Sequence, residues 1–356
     1  MRVLVIGGGA VGCLVSARIA AAGHAVTLAA RPQTAAAVHR QGLRLVEADG
    51  RLLSPTVQAL AALAEAFAGA APSYDLAILA VKSYDTQSVA GELRRAAPPT
   101  LPVLSVQNGV GNEEVLAAAL PSPIFAGALT TPVEVLAPGH VRVARPSHRF
   151  AVAPWPGYPR SEAGPSGLEA SIVGLFRQAG FSTQVFRDGR ALKWSKLLMN
   201  ILANAQPAIL GFTPAQVFAQ PSLGNLEVRA WREALAVIHA QNLAPAPLAG
   251  YPLALIGALA QHLPIAWVRP FMGRFIAGGR GDKPPSLTFD LHPQPRGRSE
   301  VAWLNGAVVA QAQRLGLPAP VNTVFTHVLL DLAEGRARSD DWQGHPQRLL
   351  AAVAGS

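Results

Sequence analysis

Along the first third of the chain, short β-rich apolar runs alternate with stretches whose apolar positions recur at helical spacing. The runs Val3–Ile6, Ala25–Ala30, Leu76–Val81 and Val103–Val106 predict strands, and Val11–Ala22 and Gln87–Ala96 predict helices. Alternation of this kind predicts a parallel sheet with helices on its faces. A small hairpin is expected to interrupt it around Leu43–Val57, with Asp49-Gly50 at the turn. From Ile124 to Val152 the pattern is strand-rich, and the proline- and glycine-rich segment Pro154–Pro165 reads as a surface loop. A helix over Leu168–Ala179 and a strand near Thr183–Phe186 would complete this part. Beyond Arg190 nearly every periodic segment is helical. The chain is therefore expected to be α/β, with an N-terminal parallel-sheet domain over residues 1–188 and an all-α C-terminal domain over residues 189–356. No internal repeat is visible, and the tail after Ala333 reads as weakly ordered.

The length of 356 residues exceeds what one core usually supports, which agrees with two domains. Half of the residues are hydrophobic and 14% are charged, a balance that excludes a disordered or fibrous chain. The net charge of +9 raises the question of nucleic acid. The basic residues are scattered, without a run of five or aromatic interleaving, so no nucleic-acid role is expected. Small anions, such as a phosphorylated cofactor and a carboxylate substrate, fit this balance better. Cys13 is the single cysteine, and no leader pattern precedes the first strand, which together predict a cytoplasmic protein without disulfides. No Asp, Glu, Lys or Arg lies between Glu233 and Arg269, but Pro245, Pro247, Pro252 and Pro264 cut this stretch into pieces too short to span a bilayer. Buried helices are expected there, not a membrane segment. No metal site is expected.

Candidate chemistry gathers in three places. The first strand runs into Gly7-Gly8-Gly9-Ala10-Val11-Gly12 and then an Ala-rich helix, the context that the G-x-G-x-x-G pattern requires. Gly7 permits the tight turn, Gly9 lets the backbone reach a pyrophosphate, and Gly12 allows close packing of helix on strand, which makes the first domain Rossmann-type. The helix N-terminus favours the pyrophosphate charge. An NAD site would place a carboxylate at the end of the second strand; here Arg31 stands 19 positions after Gly12. A guanidinium suits a 2′-phosphate, so NADP(H) is expected, with a solvated surface arginine as the other reading. The second place is Lys193 to Asn204, read as one helix in which steps of four put Lys196, Asn200 and Asn204 on a shared face. A polar stripe in an apolar helix suggests a lined cleft; hydrogen bonding within a domain interface is the alternative. The third place holds Ser286, which could donate to a carboxylate, and Glu300 at the start of an apolar helix. By itself Glu300 reads as a first-turn carboxylate complementing the helix dipole.

Taken together, these stretches resemble the ketopantoate reductase (2-dehydropantoate 2-reductase) family over nearly the whole chain. The residues that carry the resemblance are the glycine loop, Val81-Lys82, Gln107-Asn108-Gly109-Val110-Gly111 and Lys193-Trp194-Ser195-Lys196-Leu197 with Asn200 and Asn204. Ser286, Ser299-Glu300-Val301 through Asn305-Gly306, and Leu317-Pro318-Ala319-Pro320-Val321-Asn322 complete the set. The resemblance implies NADPH-dependent reduction of a 2-oxo acid, with 2-dehydropantoate, a precursor in pantothenate biosynthesis, as first candidate substrate. It also implies that Lys196 is the general acid and that Glu300 orients the lysine or the substrate. Asn108 would sit between cofactor and substrate, Lys82 near the cofactor, and Ser286, Asn200 and Asn204 around the substrate. Two departures bear on substrate choice: Ala205-Gln206-Pro207-Ala208 replaces the familiar Asn-Pro-Leu-Thr-Ala, and Gly211-Phe212-Thr213-Pro214 lacks a further asparagine. The segment Tyr251–Gly279 is also longer than the family leads one to expect. A reductase of another keto or imino acid, or a non-catalytic NADPH sensor, are the competing functions, and a homodimer is left open.

Overall fold

The computed structural model describes residues 1–69, 73–158, 167–248, 250–280 and 284–356, giving the backbone alone for 275–280. Residues 159–166 of the expected proline-rich loop lie outside the described residues. Contacts divide the chain into two compact units: Met1–Gln107 with Gly111–Lys193, and Asn108–Val110 with Trp194–Ser356.

The first unit opens with β1 (Arg2–Ile6), α1 (Ala10–Ala21), β2 (Ala25–Ala29), α2 (Pro32–Gln41), β3 (Arg44–Val46), β4 (Leu52–Leu53) and β5 (Gln58–Leu60). It continues through β6 (Leu76–Leu79), α3 (Thr86–Ala96), β7 (Val103–Ser105), α4 (Asn112–Ala119), β8 (Ile124–Leu129), β9 (Val133–Ala137) and β10 (His140–Val143). β11 (Arg149–Pro154), α5 (Gly167–Gln178) and β12 (Ser182–Val185) complete its sheets. Eight strands pair in the order β12-β11-β8-β7-β6-β1-β2-β5. From β5 to β8 every pairing is parallel, with Ile6 opposite both Ala29 and Leu79. β11 runs antiparallel to β8 and carries β12 parallel to itself, so the sheet is mixed at this edge. β6, β7 and β8 are buried at every position, as expected of parallel strands covered on both faces.

The predicted hairpin forms between β3 and β4, with Gly50 at φ +87°, where a side chain would be strained. It does not stand alone. β10 joins β3 in parallel and β9 pairs antiparallel with β10, making a four-stranded sheet in the order β4-β3-β10-β9. Arg18 of α1 ties this sheet to the main one. Its guanidinium donates to Glu47 Oε1 at 2.8 Å and to the Ala179 carbonyl at 3.0 Å, and His148 Nε2 lies 3.1 Å from Glu47 Oε2.

α6 (Gly189–Ile201) contains the last residues of the first unit and opens the helical part of the second. There follow α7 (Ala205–Leu210), α8 (Pro214–Ala219), α9 (Pro221–Ala240), α10 (Leu253–His262), α11 (Ile265–Arg280) and α12 (Thr288–Leu291). A 3₁₀ turn over Glu300–Trp303 precedes α13 (Asn305–Leu315), α14 (Pro320–Ala333) and α15 (Pro346–Ala354). α9 is the central helix, burying Leu226, Trp231, Leu235 and Ile238.

Two expectations are corrected here. The tail after Ala333 is not weakly ordered: α15 buries Leu349 and Val353, one turn apart, and the Gly344 amide donates to the Leu210 carbonyl at 3.0 Å. The uncharged stretch before Arg269 does not form wholly buried helices. α10 and α11 bury one face each and leave Leu255, Leu259, Trp267 and Phe271 exposed. No described helix is long and apolar enough to cross a membrane.

Candidate active site

The glycine loop sits at the C-terminal end of β1, where open parallel sheets bind ligands. Gly7 has φ +116°, and its amide donates to the Ala29 carbonyl at 2.8 Å. A Cβ on Gly12 would stand 1.7 Å from the Gly7 carbonyl oxygen, so α1 can approach β1 this closely only with glycine there. Gly8 serves packing, because a Cβ would meet Ala30 Cβ at 2.6 Å and Thr34 Cγ2 at 2.8 Å. Gly9 differs from both: an added Cβ meets nothing within 4 Å, and it begins α1 without a side-chain cap. Ala10 and Val11 form the first turn of α1, so open space faces backbone N–H groups and the positive end of the helix, which fits a pyrophosphate. Arg31 is exposed two residues beyond Ala29, at the N-cap of α2. Cys13, inside α1, is closed to chemistry; burial pushes its thiol up to about 12.

At the ends of β6 and β7 a buried polar network fixes the loops bearing Lys82 and Asn108. Gln107 Nε2 donates to the Val81 carbonyl at 3.0 Å and to Thr86 Oγ1 at 2.8 Å. Thr86 Oγ1 donates to Asn112 Oδ1 at 2.7 Å, and Asn112 Nδ2 donates to Ser83 Oγ at 3.1 Å. Lys82, half-buried, caps the 3₁₀ turn Ser83–Asp85. Burial is the main cause that raises the carboxyl of the neighbouring Glu114, with Glu113 adding to it and Lys193 opposing.

From Leu192 to Ile201, α6 is buried except at Lys196, Met199 and Asn200, which form one accessible stripe. Asn200 Nδ2 donates to Asn108 Oδ1 at 3.2 Å. The expected extension of this stripe to Asn204 along one helix does not occur. α6 ends at Ile201, and Ala203 takes φ +49°, a left-handed conformation that strains a residue with a Cβ. The buried Glu227 compensates, its Oε2 accepting the Ala203 amide at 2.7 Å. Asn204 therefore lies at the break before α7. Its Nδ2 donates to the Asn200 carbonyl at 2.9 Å and to Ser286 Oγ at 3.2 Å, and its Oδ1 accepts the Leu287 amide at 3.2 Å. Asn204 is 2% exposed, whereas Ser286, which it holds, is at the surface.

Glu300 does not open the apolar helix as expected; it starts the separate 3₁₀ turn ahead of α13 and is 7% exposed. Ser299 Oγ donates to Asp290 Oδ2 at 2.9 Å, the same oxygen accepts the Glu300 amide at 3.1 Å, and Ser299 Oγ accepts the Val301 amide. The turn also carries the Asn108 stretch: the Val110 amide donates to the Trp303 carbonyl at 3.1 Å, and a Cβ on Gly109 (φ +82°) would stand 2.7 Å from that oxygen. Asn108, Asn200 and the Glu300 turn are thus assembled within one unit, and so are Asn204 and Ser286.

The family described as ketopantoate reductase PanE/ApbA matches residues 3–157, and its C-terminal counterpart matches residues 188–333. The chain belongs to this ketopantoate reductase family. A 2-dehydropantoate 2-reductase of Halobacterium salinarum is 28% identical over 90% of this chain and 95% of its own length. One from Archaeoglobus fulgidus is 27% identical over 94% and 98%. Among solved structures, a PanE/ApbA family ketopantoate reductase from Ralstonia eutropha superposes with TM-score 0.77 at 28% identity, covering 94% of this chain and 99% of that one. D-mandelate dehydrogenase with NADH and anilino(oxo)acetate shares the fold, with TM-score 0.74 at 17% identity and coverage of 94% and 99%.

In this ketopantoate reductase family member, several residues that shape the site are not among the candidate residues read from the sequence. Gln107, itself within a motif stretch, holds the Asn108 loop together with Asn112 and Glu113, Glu227 sets the break after α6, and Asp290 organises the Glu300 turn. The available signal for Gln107 is its place in the Gln107-Asn108-Gly109-Val110-Gly111 stretch; for Glu227 and Asp290 the sequence offers none.

Proposed function

We propose that this chain is an NADPH-dependent reductase of a 2-oxo acid, with 2-dehydropantoate as first candidate substrate, acting in the cytoplasm. When bound, NADPH supplies a hydride to the ketone carbon, and every other part is played by the chain's own groups. Gly9, Ala10, Val11 and the first turn of α1 hold the pyrophosphate, with Gly7, Gly8 and Gly12 shaping the loop, while Arg31 holds the 2′-phosphate and Lys82 lies near the cofactor. Lys196 is the general acid: its ammonium stabilises and protonates the oxygen on which charge develops. Asn108 and Asn200 orient the ketone, Ser286, held by Asn204, meets the carboxylate, and Glu300 orients the lysine or the substrate. The observation that carries this reading is the stripe on α6, where Lys196 shares an accessible face with Asn200 and Asn200 is bonded to Asn108. The residue pattern of a non-catalytic NADPH sensor would not need this stripe.

The test is loss of NADPH absorbance with a panel of branched, unbranched and aromatic 2-oxo acids that includes 2-dehydropantoate. Turnover of 2-dehydropantoate at the highest kcat/KM is expected. Preference for another 2-oxo acid would replace the substrate but keep the chemistry, and oxidation with none of them would leave the sensor.

The same reading includes a homodimer formed by the outer faces of α10 and α11. Leu255 (59% exposed), Leu259 (39%), Trp267 (70%) and Phe271 (49%) lie there one turn apart in pairs. In a chain of net charge +9, the stretch between Glu233 and Arg269 carries no Asp, Glu, Lys or Arg, so like charge is sparse on this face; on α11 the stem of Arg269 packs against Gly224 of α9, and Arg274 is exposed one turn beyond Phe271. With the neighbouring alanines and Pro270, each copy would cover roughly 600 Å², about 1,200 Å² in total, the lower end of stable interfaces. Light scattering is expected to give the mass of two chains, and Trp267→Asp that of one; a wild-type monomer would remove the dimer.

A further inference from the structure

Lys193 is not used by the mechanism above, yet it is the most deeply buried lysine-bearing contact of α6. It stands three residues before Lys196 and is 1% exposed, and Glu113, in the first turn of α4, is fully buried. Lys193 Nζ lies 2.9 Å from Glu113 Oε1 and donates to the backbone carbonyl of Gln107. Glu113 Oε2 has no hydrogen-bond partner among the described residues. Such a pair is a poor device for stability. Two charges are taken out of water for one contact, and well-packed apolar side chains at similar positions often leave a protein equally or more stable.

What the pair supplies instead is direction. The Gln107 carbonyl belongs to the peptide that leads into Asn108, and Gln107's own amide is already pinned to Val81 and Thr86. An ammonium on that carbonyl fixes the plane of the peptide and thereby the angle at which Asn108 leaves the loop. At its other end, Lys193 sets the rotation of α6 about its axis one turn before Lys196. We propose that the Lys193–Glu113 pair is a positioning device for the reductase, holding Asn108 through the Gln107 carbonyl and Lys196 through α6. Glu113 keeps the Lys193 ammonium on that carbonyl, assisted by its place at the N-terminus of α4.

This inference rests on the reading of Lys196 as the acid, so the experiment separates the two. In the double variant Lys193→Met with Glu113→Leu no unpaired buried charge remains. Its melting temperature is expected to stay within a few degrees of wild type, and its NADPH Kd, from nucleotide fluorescence, within threefold. Its kcat/KM for the oxo acid is expected to fall at least tenfold. A pair with a purely structural role would leave kcat/KM of the folded protein unchanged, and that result overturns the proposal. Should the double variant not fold, Glu113→Asp keeps both charges but withdraws the carboxylate by one methylene; a fall of about threefold or more in kcat/KM is expected, and wild-type kcat/KM overturns the proposal. Lys196→Ala run alongside shows which idea has failed. If it loses turnover while the pair variants retain theirs, only the positioning role falls; if it keeps turnover, the assignment of the acid falls as well.

Discussion

The contrast between Gly9 and Gly12 allows the cofactor site to be tested without disturbing the fold. Gly9→Ala adds a methyl group that meets nothing within 4 Å, at φ −83° and ψ −169°, which alanine adopts freely. Removing glycine from the unfolded chain gains about 0.4–1 kcal/mol, and the weaker N-cap that alanine gives α1 loses a comparable amount. The melting temperature is therefore expected to move by only a few degrees. The methyl group nonetheless occupies the space through which phosphate oxygens would reach the N–H groups of the first turn. Losing one or two hydrogen bonds to a charged group costs about 2–4 kcal/mol, a loss of NADPH affinity of roughly thirty- to several-hundred-fold. Differential scanning fluorimetry and titration of NADPH fluorescence measure the two quantities separately. Gly12→Ala is the control, since its Cβ would stand 1.7 Å from the Gly7 carbonyl oxygen and must push α1 off β1; it is expected to lose stability as well as binding. A Gly9→Ala protein with wild-type NADPH affinity would refute the pyrophosphate assignment.

Three further outcomes follow from the same geometry. Lys196→Ala is expected to lower kcat by about 10²–10⁴-fold while leaving NADPH affinity near wild type, and unchanged single-turnover rates would remove the lysine from the chemistry. Arg31→Asp is expected to weaken NADPH binding and narrow the gap to NADH, so parallel titrations with unaltered preference would count against a 2′-phosphate contact. His148 faces Arg18 and Glu47, and its ring stands edge-on to Phe181. Burial first and Arg18 second hold its pKa below 6.5, against the pull of Glu47. The folded state thus binds fewer protons at this site than the unfolded chain, and the stability present above pH 6.5 is lost as pH falls through the depressed value. His148→Gln is expected to flatten the decline of melting temperature below pH 6.5; an unchanged slope would place the acid sensitivity elsewhere.

The N-terminal half was legible because its signals are local. A buried parallel strand is an apolar run, and Gly12 is fixed by the Gly7 carbonyl five positions earlier, so the spacing of the glycine loop identifies strand, turn and helix. Arg31, 19 positions after Gly12, lies just past the end of β2, where the spacing puts it. The hairpin is visible in the sequence but its sheet is not, because β10 pairs with β3 across some ninety intervening residues and brings β9 with it, a separation that leaves no periodic mark. α15 is hard to read for the opposite reason: apolar residues follow one another from Leu349 to Ala354 without a helical period, and only the packing of the fold selects Leu349 and Val353 for burial.

The break after α6 shows where helical periodicity misleads. Steps of four from Lys196 to Asn200 to Asn204 are arithmetically sound, and nothing in Leu202-Ala203 announces an end, since alanine is the best helix former. The end is imposed from outside by Glu227, which takes the Ala203 amide and stabilises a conformation the sequence disfavours. One consequence is a division of labour among the asparagines. Asn200 stays on the accessible stripe, whereas Asn204 turns inward and spends both ends of its amide on the Asn200 carbonyl, Ser286 and Leu287. A similar logic governs Glu300, whose turn owes its shape to Asp290 ten residues earlier. Motif residues are recognisable one at a time, but the groups that aim them are buried polar side chains drawn from remote segments. Each such group is tolerated in the interior because it is hydrogen-bonded or paired there, and that pairing exists only once the chain has folded.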